Sequence, residues 1–185
     1  MKGSLLRRIS NRVLHLLARI LPGATTIRPL LHRLRGARIG KHVFIGDDVY
    51  LENEYPAAVE IQSGVQIGVR AIILAHTRGP GGVVIEKDAF IGANAVIAAS
   101  GSRILRIGQG AVIGAGVVVT NDVPARVFVA NEAAKPIAHV GVPLTKARTT
   151  EDFVRSLAPI SPQPKAAPPS GDGSSQPTSL KPGVR

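Results

Sequence analysis

The chain has 185 residues, no cysteine, no tryptophan and a formal charge of +11. The missing thiols exclude disulfides, thiolate metal sites and a cysteine nucleophile. The charge is uneven: residues 1–46 hold ten Lys or Arg and no Asp or Glu, whereas the remainder holds thirteen basic and twelve acidic side chains, so the excess belongs to a basic N-terminal arm.

Leu5, Leu6, Ile9, Val13, Leu16, Leu17, Ile20 and Leu21 recur at helical spacing, with Arg8, Arg12, His15 and Arg19 largely off that stripe. Pro22-Gly23 ends this helix, and Pro29 opens a short second one, Leu30 to Arg35, which Gly36 stops. Residues 1–36 thus form an amphipathic helical arm with two readings. One is a membrane-surface helix, apolar side in lipid and arginines on anionic headgroups. The other is a cap on the open end of the adjoining domain, with its arginines solvated. No stretch reaches the roughly 18 apolar residues of a membrane span, and the arginines interrupt any secretory apolar core, so the expected location is cytoplasmic, peripheral to the inner face of the plasma membrane if the arm binds lipid.

From Ile39 a six-residue period takes over. Units begin at Ile39, Ile45, Ile61, Ile67, Ile85, Ile91, Ile107 and Ile113, each with Val or Ala at its fifth position and usually Gly at its second. This is the signature of a parallel β-helix, an all-β solenoid in which three hexapeptides make a coil and the leading aliphatics stack inward. Glycine at the second position is expected to supply the corner dihedrals. Four coils are led by Ile39, Ile61, Ile85 and Ile107. Their spacings of 22, 24 and 22 residues exceed eighteen, so inserts fall within Glu52–Glu60, His76–Val84 and Ala98–Arg106, the likeliest places for function in a regular solenoid. The repeat is expected to end at Pro124, with an extended exit segment inside a domain of residues 37–143. Residues 144–158 hold a short helix, Glu151 to Leu157, capped by Thr150. From Pro159 to the C-terminus, Pro, Ser, Gly, Gln and Lys predict a disordered tail.

The stretches Phe90–Val96 and Ile113–Pro124, with Val129-Ala130-Asn131-Glu132-Ala133-Ala134-Lys135-Pro136-Ile137, resemble the left-handed β-helix, hexapeptide-repeat acyltransferases, nearest in pattern to maltose, galactoside and polysaccharide O-acetyltransferases. The resemblance spans about residues 36–137. It implies the left-handed turn, a homotrimer, and acetyl-CoA as acyl donor between neighbouring solenoids. It implies further that Gly92, Ala93, Gly114 and Ala115 line the pantetheine path, and that Thr120 and Lys135 lie near the CoA phosphates.

An acyl transfer without cysteine needs a base, and His76, where Ile73-Leu74-Ala75 runs into the second insert, is the candidate. Imidazole is suited to taking a hydroxyl proton near neutral pH, and transfer would be direct, the rate gained from positioning. The other histidines do not converge with it, so no metal is expected. In the first insert, Asn53 and Glu54 are candidate acceptor contacts, and a carboxylate there could also orient the histidine. Arg78 is a candidate for an anionic acceptor group and Phe90 for an aromatic wall. The acceptor expected is a sugar hydroxyl of a polysaccharide or glycolipid precursor. Alternatives are a small soluble sugar, alcohol or amine, or a scaffold without activity. A nucleic-acid role is disfavoured, because Phe44 is the one aromatic before residue 50 and no groove-reading motif accompanies the basic arm.

Overall fold

The computed structural model describes residues 5–160 apart from 78, 80 and 133. It divides into two units, Met1–Glu132 and Ala133–Arg185. In the first, helices α1 (Leu5–Ile20) and α2 (Ile27–Leu34) precede a parallel β-solenoid. Its coils are β1 (Arg38–Ile39), β2 (Phe44–Ile45) and β3 (Tyr50–Leu51); β4 (Val59–Ile61), β5 (Gln66–Ile67) and β6 (Ile72–Leu74); β7 (Gly82–Ile85), β8 (Phe90–Ile91) and β9 (Val96–Ala98); and β10 (Ile104–Ile107), β11 (Val112–Ile113) and β12 (Val118–Val119). Corresponding strands form three parallel faces, and β13 (Phe128–Val129) extends the second.

The hexapeptide phase read from the sequence is the register of the structure. Ile39, Ile61, Ile85 and Ile107 stack on the first face, Ile45, Ile67, Ile91, Ile113 and Val129 on the second, and Leu51, Ile73, Ile97 and Val119 on the third. The fifth-position residues, among them Val65, Ala71, Ala89 and Ala95, are buried at the corners. Full burial of an aliphatic side chain contributes about 1.5–3 kcal/mol, and no coil buries its inner face without its neighbours.

Two expectations about the corners are corrected. The positive backbone angle falls at the fourth position, not the second: His42, Asp48, Arg70, Asp88, Asn94 and Arg126 have φ between 54° and 59°, a region where His, Asp and Asn are tolerated best after glycine. Second-position glycines serve close approach instead. A Cβ on Gly92 would lie 2.5 Å from the Ala115 nitrogen, and one on Gly68 would lie 2.6 Å from the Ala93 nitrogen. The repeat also continues past Pro124. Val123 bridges Ile107 and Val129 pairs with Ile113, making a partial fifth coil. Pro124 fits there because the second-position N–H of each coil donates to the next coil, and the last coil has no successor to receive it.

The same accounting explains the helices. Second-position amides donate forward, Gly40 to Ile61, Gly46 to Ile67 and Glu52 to Ile73, at 2.7–2.9 Å. The matching carbonyls of the first coil, on Ile39, Ile45 and Leu51, have no preceding coil to bond. Arginines of α2 and its C-cap take one each: Arg33 Nε donates to Ile39 O at 3.0 Å, Arg28 Nη1 to Ile45 O at 3.0 Å and Arg35 Nη1 to Leu51 O at 3.2 Å. Arg19 and Ala24 contribute carbonyls to the Asp48 and Ile45 amides. The arm is therefore a cap, but Arg28 and Arg35 are buried rather than solvated. His15, Ala18 and His32 are buried with them, while Leu6, Ile9, Val13, Leu16 and Ile20 of α1 and Ile27, Leu30 and Leu34 of α2 are exposed.

In the second unit, β14 (Ala138–Val140) and β15 (Leu157–Pro159) form an antiparallel pair around α3 (Thr150–Arg155). The helix cap is Thr149, whose hydroxyl accepts from the Asp152 amide at 3.1 Å, one residue before the expected Thr150. Leu157–Pro159 are strand where helix, then a disordered tail, was expected. The remainder of that tail, residues 161–185, lies outside the described residues.

Candidate active site

All three inserts leave the solenoid at one edge, between the third and first faces: residues 52–58, 75–81 and 99–103. They are shorter than the sequence suggested because β4, β7 and β10 begin two or three residues before their lead isoleucines. Stacking brings the first two inserts together around a cavity of about 630 Å³ lined by Tyr55, Ala57, Ala58, His76, Gly79 and Gly81.

His76 stands at this cavity with its side chain one-third exposed. Its Nδ1 donates to Glu52 Oε2 at 2.5 Å. Glu52 is fully buried, which would be costly for an unpaired carboxylate. Three backbone amides satisfy it: Ala75 donates to Oε2 at 2.9 Å, and Glu54 and Tyr55 donate to Oε1 at 2.9 and 3.2 Å. Burial pushes the Glu52 carboxyl up, but the His76 bond and these amides outweigh it and hold its pKa below the usual carboxylate range. An ionised Glu52 on Nδ1–H leaves His76 Nε2 with its lone pair toward the cavity. Tyr55 meets the imidazole edge-on, ring centroids 5.2 Å apart, and Glu54 Oε2 lies 3.7 Å from Nε2, outside hydrogen-bond range.

The loop carrying Glu52 is held from behind by the cap. Arg35 Nη2 donates to the Glu52 carbonyl at 2.7 Å and to Asn53 Oδ1 at 3.3 Å, and Arg35 Nε donates to Asn11 Oδ1 at 2.8 Å. Burial pulls the Arg35 pKa down to about 10, so it remains a cation at neutral pH. Asn53, an expected acceptor contact, is engaged on this side: its amide oxygen accepts from Arg35 and its carbonyl accepts from Asn11. Glu54 is exposed beside His76 and does not line the cavity itself. Arg78 lies outside the described residues. Phe90 is exposed on the second face, in register with Gln66 and Val112 and away from the edge where the inserts emerge. Glu52 and Tyr55 were not singled out by the sequence, although a one-coil register count would have set the first insert against the second.

Gly92, Ala93, Gly114 and Ala115 stack at the corner between the second and third faces, where Gly116 donates to Ala93 O at 2.9 Å. Thr120 follows β12, its carbonyl accepting from Arg103. Lys135 is exposed in the second unit. The His76 edge and the Ala93–Ala115 corner thus bound opposite ends of the third face. No cluster of three or more potential metal ligands occurs among the described residues.

Residues 82–121 match the family model described as the hexapeptide repeat of succinyl-transferase. The matched residues run through the third and fourth coils of the solenoid and carry that repeat. Among curated proteins, this hexapeptide-repeat chain is 43% identical over 75 residues to the 2,3,4,5-tetrahydropyridine-2,6-dicarboxylate N-acetyltransferase of Staphylococcus aureus strain JH9, covering 40% of this chain and 30% of that enzyme. Among solved structures it is similar to the serine acetyltransferase of Neisseria gonorrhoeae, at 26% identity, 70% of this chain, 55% of that chain and a TM-score of 0.44. It is also similar to soybean serine acetyltransferase, at 30% identity, the same coverage and a TM-score of 0.43. The chain therefore spans under a third of the curated relative and about half of each solved one. The relatives' names are those of a tetrahydropyridine-dicarboxylate N-acetyltransferase and two serine acetyltransferases, whereas the sequence resemblance pointed to maltose, galactoside and polysaccharide O-acetyltransferases.

Proposed function

We propose that this protein is an acetyl-CoA-dependent acetyltransferase working by direct transfer, with His76 as general base and Glu52 as its positioning residue. The pairing of buried Glu52 with His76 at the insert cavity carries the reading: it orients an imidazole with Nε2 available, where a surface histidine would have no such support. Nε2 takes the proton of an acceptor hydroxyl as the oxygen bonds to the thioester carbonyl carbon. The tetrahedral intermediate then collapses, the C–S bond breaks, and the departing CoA thiolate receives the proton from the imidazolium. The small-residue corner at Gly92, Ala93, Gly114 and Ala115 is assigned to the pantetheine arm, and Thr120 to the CoA phosphates. Because corner and base lie at opposite ends of one face, a site shared between copies, as in a homotrimer, brings them together.

For the acceptor we retain a sugar hydroxyl. Tyr55 offers an aromatic face at the cavity, and the Glu52 and Glu54 carboxylates lie 2.5 and 3.7 Å from the His76 ring nitrogens. An aromatic face beside hydrogen-bond-accepting carboxylates suits a neutral polyol. The relatives' names favour a second reading, an amino-acid-derived hydroxyl or amine. Thiol release from acetyl-CoA, free of background in a chain without cysteine, can be followed with a sugar panel, serine and a cyclic dicarboxylate. His76→Ala should lower turnover by about 10²–10⁴-fold while acetyl-CoA still binds by calorimetry. Normal turnover in that variant sinks the mechanism, and turnover confined to serine or the dicarboxylate replaces the sugar reading.

A further inference from the structure

The cap helices leave their apolar sides without a partner among the described residues. Along α1, Leu6, Ile9, Val13, Leu16 and Ile20 follow a three-four spacing, and all are more than half exposed, up to 78% at Leu6. Ile27, Leu30 and Leu34 continue the pattern on α2. A helix docked on a protein core normally buries such a stripe. Here the core side of both helices is largely polar, Ala18 and Pro29 apart. Asn11, His15, Arg28, His32 and Arg35 face the first coil, the His15 and His32 rings meeting edge-on at 6.3 Å. With the polar sides turned to the solenoid, the apolar sides point away from it.

We propose that this face lies on the surface of a bilayer containing anionic lipid, the stripe entering the interfacial region and the flanking arginines meeting headgroup phosphates. Charge selects this occupant. Residues 1–46 contain no acidic side chain, and Arg7, Arg8 and Arg12 on α1 are exposed, with Arg12 about a quarter turn and Arg8 about a third of a turn from the stripe. A second copy docked face to face would set this basic surface against itself, a like-charge contact that disfavours association. An anionic bilayer supplies the opposite charge and an apolar phase together. The helices lie flat: no described helix is long and apolar enough to cross a membrane.

The test is flotation of the full-length chain with vesicles of phosphatidylcholine alone and with about one-third phosphatidylglycerol, without acetyl-CoA, so that the result is independent of the transferase reading. Full-length protein should float with the anionic vesicles. Ile9→Gln with Leu16→Gln should weaken binding by about tenfold or more without changing the melting temperature, and Arg8→Gln with Arg12→Gln should weaken it and flatten its salt dependence. Absence of binding to anionic vesicles overturns the proposal. So does binding unaffected by the stripe substitutions, which would make it purely electrostatic. A concentration-dependent dimer that the stripe substitutions abolish would give the face to a second copy and overturn it equally.

Discussion

In the solenoid, aliphatic side chains point inward and charged ones outward; in the two helices that close it, this order is reversed. Ile85 is buried beneath three faces of like residues, whereas Leu16 and Leu30 are exposed and Arg28 and Arg35 are buried. The difference comes from the groups each surface must satisfy. The middle of the solenoid has its backbone groups paired by neighbouring coils and needs only apolar filling. The first coil presents a row of carbonyls with no coil before it, and a buried orphan carbonyl is costly. Arginine reaches such carbonyls with several donors, so the cap is built from cations and its aliphatics are left outside.

Substitutions can break this comparison in either region. The largest effect is expected at Arg35, where alanine removes bonds to the Leu51 and Glu52 carbonyls, His32 and Asn11 together. A loss of about 3–5 kcal/mol is expected by denaturant unfolding. Turnover should fall further than in Arg28→Ala, because Arg35, unlike Arg28, bonds the Glu52 loop. Equal activity in the two variants would separate cap from site. Ile85→Ala in the core should cost about 2–5 kcal/mol. A smaller effect comes from pH. Burial lowers the His15 pKa from 6.5 to about 4 and the His32 pKa from 6.5 to about 3, with nearby Arg35 adding to both. The unfolded chain gains protons first as pH drops, so stability is complete above about pH 6.5 and declines from there toward pH 4 and then pH 3. Near pH 5 this amounts to roughly 2 kcal/mol per histidine. A melting temperature flat from pH 7.5 to 5 would contradict the buried, neutral state. The smallest effect is Leu16→Ser on the exposed stripe, expected within about 0.5 kcal/mol. A cost like that of Ile85→Ala would mean the stripe is covered.

Local periodicity accounts for the features legible along the chain. The lead isoleucines are legible because a parallel solenoid repeats the same inward position in every coil, and His76 because it interrupts that repeat. The roles of the glycines are not, since sequence spacing cannot distinguish a residue needed for its φ from one needed for the nearness of the next coil. Residue type draws attention to Asn53 and Glu54, yet Glu52 is the carboxylate bonded to His76. Which of three successive residues turns inward depends on the packing of the insert and not on residue type.

The sequence by itself determined the solenoid, its four full coils, its register and the places of its inserts, because each follows from a six-residue rule applied one neighbour at a time. Only the tertiary structure decided the direction in which the amphipathic arm faces, the burial of its arginines, and the pairing of Glu52 with His76 across 24 residues. Those depend on unpaired backbone groups at the end of the stack and on contacts between loops of successive coils, which no periodicity along the chain records.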